Sequence, residues 1–116
     1  MYADSDTFAR GLVAECPALQ PIFEEHMRAN DELLAHLFME DVTRFVVDAT
    51  TKPELRQPLE LILNTIEEGL KLGSDDVEGL IVVSFVENLL GEDDAVSALL
   101  PLMGPGLREW VQRICM

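Results

Sequence analysis

Two histidines, His26 and His36, and two cysteines, Cys16 and Cys115, are the side chains of this 116-residue chain best suited to proton transfer, metal binding or nucleophilic attack. Their spacing offers little. The cysteines stand near opposite ends, without a metal-site pattern or a disulfide framework. Both are expected to be reduced thiols, with Cys16 in packing. His36 precedes Glu40 by one helical turn, but two ligands make no metal site and spacing implies no third. A small enzyme or metal binder using His26, His36, Asp41 or Glu87 would need those side chains to converge in one pocket. The chain has no glycine-rich phosphate loop and no nucleophile elbow. It is therefore not expected to be an enzyme, and no cofactor or metal is expected.

Carboxylates are the abundant chemistry. There are 22 acids against 8 bases, a formal net charge of −14. Such a balance opposes nucleic acid and anionic membranes, and attracts a basic protein partner with fast, salt-sensitive association. The acids are also unevenly placed. Glu60, Glu67, Glu68, Asp75, Asp76, Glu78, Glu87, Glu92, Asp93 and Asp94 face a single base, Lys71, over residues 60–94. Gly91-Glu92-Asp93-Asp94 lacks the alternating oxygen ligands and closing Glu of a calcium loop.

The elements that must position these charges are helical. Residues 77–90 form the most apolar stretch, too long for an ordinary buried strand. Ser74-Asp75-Asp76 offers N-caps, Asp75 and Glu78 have capping-box spacing, and Gly91 falls at a left-handed C-cap position. A buried central helix over about 75–90 is expected, with Ser84 bonding back to a carbonyl of its own helix. Glu87 and Asn88 lie in its last turn. Around it, helices are expected over 5–15, 18–29, 32–50, 54–72, 95–100 and 105–115. Ser5 or Asp6 caps the first, and Asn30-Asp31 caps the third. In the third, Leu34, Phe38, Val42, Phe45, Val46 and Ala49 form the core face, while His36, Glu40, Arg44 and Asp48 step by four along an exposed ladder of paired charges. Asp41, near the apolar side, is expected to bond to a neighbouring helix. In the fourth, Leu55, Leu59, Ile62, Ile66 and Leu70 form the stripe, and Glu60, Asn64, Glu67, Glu68 and Lys71 face water. His26 is expected partly buried and hydrogen-bonded. Trp110 is expected at the core edge, its alternative role being an exposed anchor for a partner.

The length and a 48% apolar content predict one domain over 1–116, all-α: a compact bundle or curved stack of six to seven antiparallel helices. No membrane span and no secretory signal is visible, so a cytoplasmic location is expected.

Four phrases carry a family resemblance: Ile22-Phe23-Glu24-Glu25-His26, the stretch Asn30 to Asp41, the stretch Ile81 to Leu89, and Leu102-Met103-Gly104-Pro105-Gly106-Leu107. Across about residues 17–112 the chain resembles a family of small, acidic, all-helical bacterial proteins of unknown biochemical function. These in turn resemble immunity proteins encoded beside polymorphic or contact-dependent toxins. The resemblance implies a partner, a cognate and basic toxin domain, and a mechanism, blockade of its active site or substrate-binding surface. The residues expected to carry the acidic face are Glu67, Glu68, Asp75, Asp76, Glu78, Glu92, Asp93 and Asp94. The alternative is a helical adaptor or regulator of a host protein, which needs no neighbouring toxin gene.

Overall fold

The hydroxyl of Ser74 accepts the N–H of Val77 at 3.4 Å and opens the central helix. Ser74, rather than an Asp75–Glu78 box, is therefore the cap, and Asp75, Asp76 and Glu78 fill the first turn, where their charge suits the helix dipole. In this computed structural model, which describes residues 2–116, the helix does not stay regular. It is α-helical over Asp75–Ile81, widens to a π turn over Val82–Val86, and tightens to a 3-10 turn over Glu87–Leu89. Gly91 then takes a left-handed φ of +85°, as its position predicts.

Six further helices surround this run. In chain order, with the α-helical part of the central run numbered α5, they are α1 (Ser5–Glu15), α2 (Gln20–Asn30), α3 (Ala35–Ala49), α4 (Arg56–Leu72), α6 (Asp93–Leu99) and α7 (Pro105–Cys115). Short 3-10 turns, Pro17–Leu19 and Pro53–Leu55, lead into α2 and α4, each with proline in the first position, where its missing N–H matters least. No strand occurs among the described residues; an isolated bridge joins Tyr2 to Gly73. Among the described residues the fold is an all-α bundle of seven helices.

Periodicity explains the core. Phe38, Met39, Val42 and Val46 of α3, and Leu59, Ile62, Leu63 and Ile66 of α4, are buried at three- and four-residue spacing. They meet Val77, Leu80, Ile81, Phe85, Val86 and Leu89 of the central run. Helices α1, α3, α4 and α7 all touch that run. One edge of it nonetheless reaches the surface: Val83 is 50% exposed, and Glu87 and Asn88 are exposed too. At Gly69 the ring of Phe8 lies so close that an added Cβ would stand 2.5 Å from it, so glycine lets α1 and α4 meet. Trp110 packs at the core edge, with the guanidinium of Arg113 5.0 Å from its ring centre.

Several local expectations are corrected. Asp4, not Ser5 or Asp6, caps α1, accepting the N–H of Thr7 at 2.8 Å. That contact holds its carboxyl below the usual range. Asp31 adopts a left-handed φ of 60° and closes α2 through its N–H to the carbonyl of Met27; it does not cap α3. Leu34 is extended, so α3 begins at Ala35, three residues later than the apolar pattern implies.

Candidate functional site

The expected acidic residues fall into three environments. Glu68, Asp75, Asp76 and Glu78 lie exposed around the start of the central helix. Asp76 there also holds the chain's beginning, accepting the N–H of Ser5 at 2.7 Å. Burial, with the charges of Glu68 and Glu15, pushes the Tyr2 phenol above its ordinary pKa. Glu92, Asp93 and Asp94 are exposed beyond the helix's far end. Burial raises the Cys115 thiol, and Asp93 adds to that shift. A 15-residue helical run separates the two groups by about 20 Å, so they do not form one patch.

Glu67 belongs to neither group. It is 6% exposed, which corrects the expectation that it faces water. Its Oε2 accepts the N–H of Gly106 at 2.9 Å and its Oε1 that of Leu107 at 2.8 Å. Helix α7 starts at Gly104-Pro105 with no capping side chain of its own. Glu67 supplies the missing acceptor from α4 and sits at the favourable end of the α7 dipole. An added Cβ at Gly104 would stand 2.6 Å from the Glu67 Cδ, so the glycine leaves room for the carboxylate.

The histidines are engaged separately. His26 is buried; its Nε2 accepts the N–H of Leu34 at 3.0 Å, and its ring lies edge-on to Phe38 at 5.7 Å. His36 Nδ1 and the Ser84 hydroxyl share a 2.6 Å hydrogen bond. Ser84 therefore reaches across to α3 instead of bonding back within its own helix. Asp41 pairs with Arg44 of its own helix, not with a neighbouring one. Glu87 is exposed. Among the described residues, no group of three or more His, Cys, Asp or Glu is placed to hold a metal ion. Cys16 is buried beside Thr65 Oγ1 at 3.8 Å, and burial pushes its thiol up.

A groove of about 370 Å3 runs between α3 and the end of the central run. Glu40, Thr43, Val47 and Asp48 form one wall with Arg44; Asn88 and Glu92 form the other. The π turn shapes it. The Ser84 carbonyl accepts the Asn88 side-chain N–H at 2.8 Å and lies 3.1 Å from the Thr43 hydroxyl, which also faces the Met39 carbonyl at 2.8 Å. Of the sequence-derived set, only Glu92 lines this groove. Glu40 and Asp48 were expected as rungs of a paired ladder. Neither makes an ion pair among the described residues, and the one cation between them, Arg44, is held by Asp41. A four-residue ladder marks a solvated face; that the face is one wall of a groove depends on the opposite helix.

A second, shallower hollow lies beside α3, between Pro21, Ile22 and Phe45, so Arg44 and Asp48 stand on a ridge shared by two depressions. Thr43, whose hydroxyl lines the groove, and Ser84 are each 2% exposed. The arrangement is suited to accepting hydrogen bonds from cationic groups.

Among the described residues, no helix is long and apolar enough to cross a membrane. No curated protein and no solved structure matches the chain. Residues 9–116 match the family model described as Domain of unknown function (DUF7674), and the chain belongs to that family.

Proposed function

We propose that this protein is a toxin-neutralising immunity protein that binds a cognate, basic toxin domain through acidic surface and blocks it. One observation carries the reading: the acid surplus is left without internal partners. The five ion pairs among the described residues join Arg10, Arg28, Arg44, Arg56 and Arg113 to acids three or four positions away on their own helices. The acids so paired are Asp6, Glu25, Asp41, Glu60 and Glu109, none of them in the set expected to carry the face. Arg108 is turned to the carbonyls of Leu100 and Met103. Glu68, Asp75, Glu78, Glu92, Asp93 and Asp94 thus present uncompensated charge, which steers a basic partner to the surface and raises its on-rate.

Action inside the producing cell follows from this role: the protein meets the toxin domain where that domain reaches its target. Co-expression tests the proposal. The C-terminal domain of whatever protein is encoded immediately upstream is produced with and without this chain. Rescue of growth and a stable one-to-one complex on purification are expected. Normal growth loss and no complex would transfer the acidic surface to the adaptor reading.

A further inference from the structure

We infer that the groove between α3 and the central run is the seat of a cationic side chain, an arginine presented by the protein partner. The inference rests on the binding role proposed above and names the group that enters. Three kinds of observation support it. The first is charge: Glu40, Asp48 and Glu92 line one cavity without an ion-pair partner, while Asp41 already holds Arg44. The second is the buried wall. Thr43 is 2% exposed and lines the cavity, and its single hydroxyl proton is shared between two carbonyls, Met39 and Ser84. Its oxygen lone pairs remain able to accept. Asn88 turns its Nδ2 to the Ser84 carbonyl, leaving its Oδ1 without a partner among the described residues. The groove therefore offers three carboxylates and two neutral acceptors against one cation of its own, Arg44, which Asp41 holds; that excess of acceptors is what a guanidinium with five N–H donors requires.

The third is exposed apolar surface on the elements that wall the groove. Val83 and Leu90 are more than half-exposed or at that limit, at 50% and 56%, and Leu37 is 43% exposed. Leu37 and Val83 are chain neighbours of the bonded pair His36 and Ser84, and Leu90 lies between Asn88 and Glu92. Apolar surface on the same elements as an acid-lined hollow suits a protein partner, with the arginine stem lying on Val47. The π turn belongs to the same design. It opens the central helix at Ser84 and lets Asn88 and Thr43 build the wall, and such turns occur often where a helix carries function.

The test needs no toxin. Capped arginine (Nα-acetyl-arginine N-methylamide) is titrated into labelled protein and followed by amide chemical shifts, with capped citrulline as the uncharged isostere. Saturable shifts centred on Thr43, Val47 and Asn88 are expected, weakened at least about fivefold for citrulline, since charged hydrogen bonds are roughly twice as strong as neutral ones. The variant Glu40→Gln/Asp48→Asn/Glu92→Gln should lose the same binding. Glu68→Gln/Asp75→Asn/Glu78→Gln, which removes equal charge elsewhere, should keep it. Equal loss in both variants would show general charge attraction and overturn the inference, as would shifts that never saturate. Because this titration is independent of any toxin complex, saturable arginine binding without growth rescue would uphold the groove and reject the immunity role. Rescue retained by the groove variant would do the reverse.

Discussion

Glu67 Oε1 accepts the backbone N–H of Leu107 at 2.8 Å, joining the middle of α4 to the first turn of α7 across forty residues of chain. A carboxylate that in sequence resembles its exposed neighbour Glu68 is thereby a structural clasp. Replacing it leaves two backbone N–H groups near the core without their acceptor. Glu67→Ala is expected to cost about 3 kcal/mol, because buried donors to a charged acceptor are lost and left unsatisfied. Urea unfolding should show a lower midpoint with an unchanged slope. Glu67→Gln, with one acceptor oxygen, should fall between the two.

The glycine facing that carboxylate should be coupled to it. Gly104→Ala places a methyl 2.6 Å from the Glu67 Cδ and should destabilise by about 1–3 kcal/mol. Shortening Glu67 to alanine empties that space. In the Glu67→Ala background the Gly104→Ala change should therefore cost about 1 kcal/mol less, within the range of coupling seen for touching residues. Additive effects in the double-mutant cycle would mean the two do not share the site.

His26 acts as a cap for the extended entry to α3. Its Nε2 accepts the Leu34 N–H, and its ring fills space against Phe38. His26→Ala should lower stability by about 2–3 kcal/mol through the orphaned donor and the cavity together. Hydrogen exchange should locate the damage, with protection lost first around Leu34 and the start of α3.

Alkaline pH should weaken the fold by a definable route. The folded state raises the pKa of Cys16, Cys115 and Tyr2, in each case mainly by burial. The unfolded thiols release their protons near their ordinary value of 9.0 while the folded chain keeps them. The folded state then binds more protons than the unfolded one, so stability falls as pH rises. The contribution is intact below about pH 9 and is lost progressively above it, until the folded groups also ionise. Denaturation midpoints from pH 8 to pH 10.5 should decline, and Cys16→Ala should flatten the decline while lowering the starting value.

The helices were legible because each must bury a stripe at a 3.6-residue period, and Leu59, Ile62 and Ile66 or Phe38, Val42 and Val46 have no other arrangement that does so. Their ends were less legible. Asp31 closes α2 instead of opening α3 because its short side chain tolerates the left-handed region, a choice the residue type permits without forcing. The role of Glu67 was hidden, since its partners lie forty residues on; the clue available was a helix start at Gly104-Pro105 lacking any Ser, Thr, Asp or Asn to cap it. The π turn had no sequence signal. The groove needed both walls: Glu40 and Asp48 on one helix, Asn88 and Glu92 beyond another, meet only through packing.

The proposed function depends most on whether uncompensated acid captures a basic partner. The direct measurement is the association rate of this protein with the C-terminal domain of the protein encoded immediately upstream, by stopped flow, as salt is raised. We expect a fall of at least about tenfold from low to high salt, as for electrostatically steered complexes, with dissociation changed far less. Neutralising Glu40, Asp48 and Glu92 should lower the low-salt rate and speed dissociation. An association rate indifferent to salt, or the absence of any complex, would contradict the account.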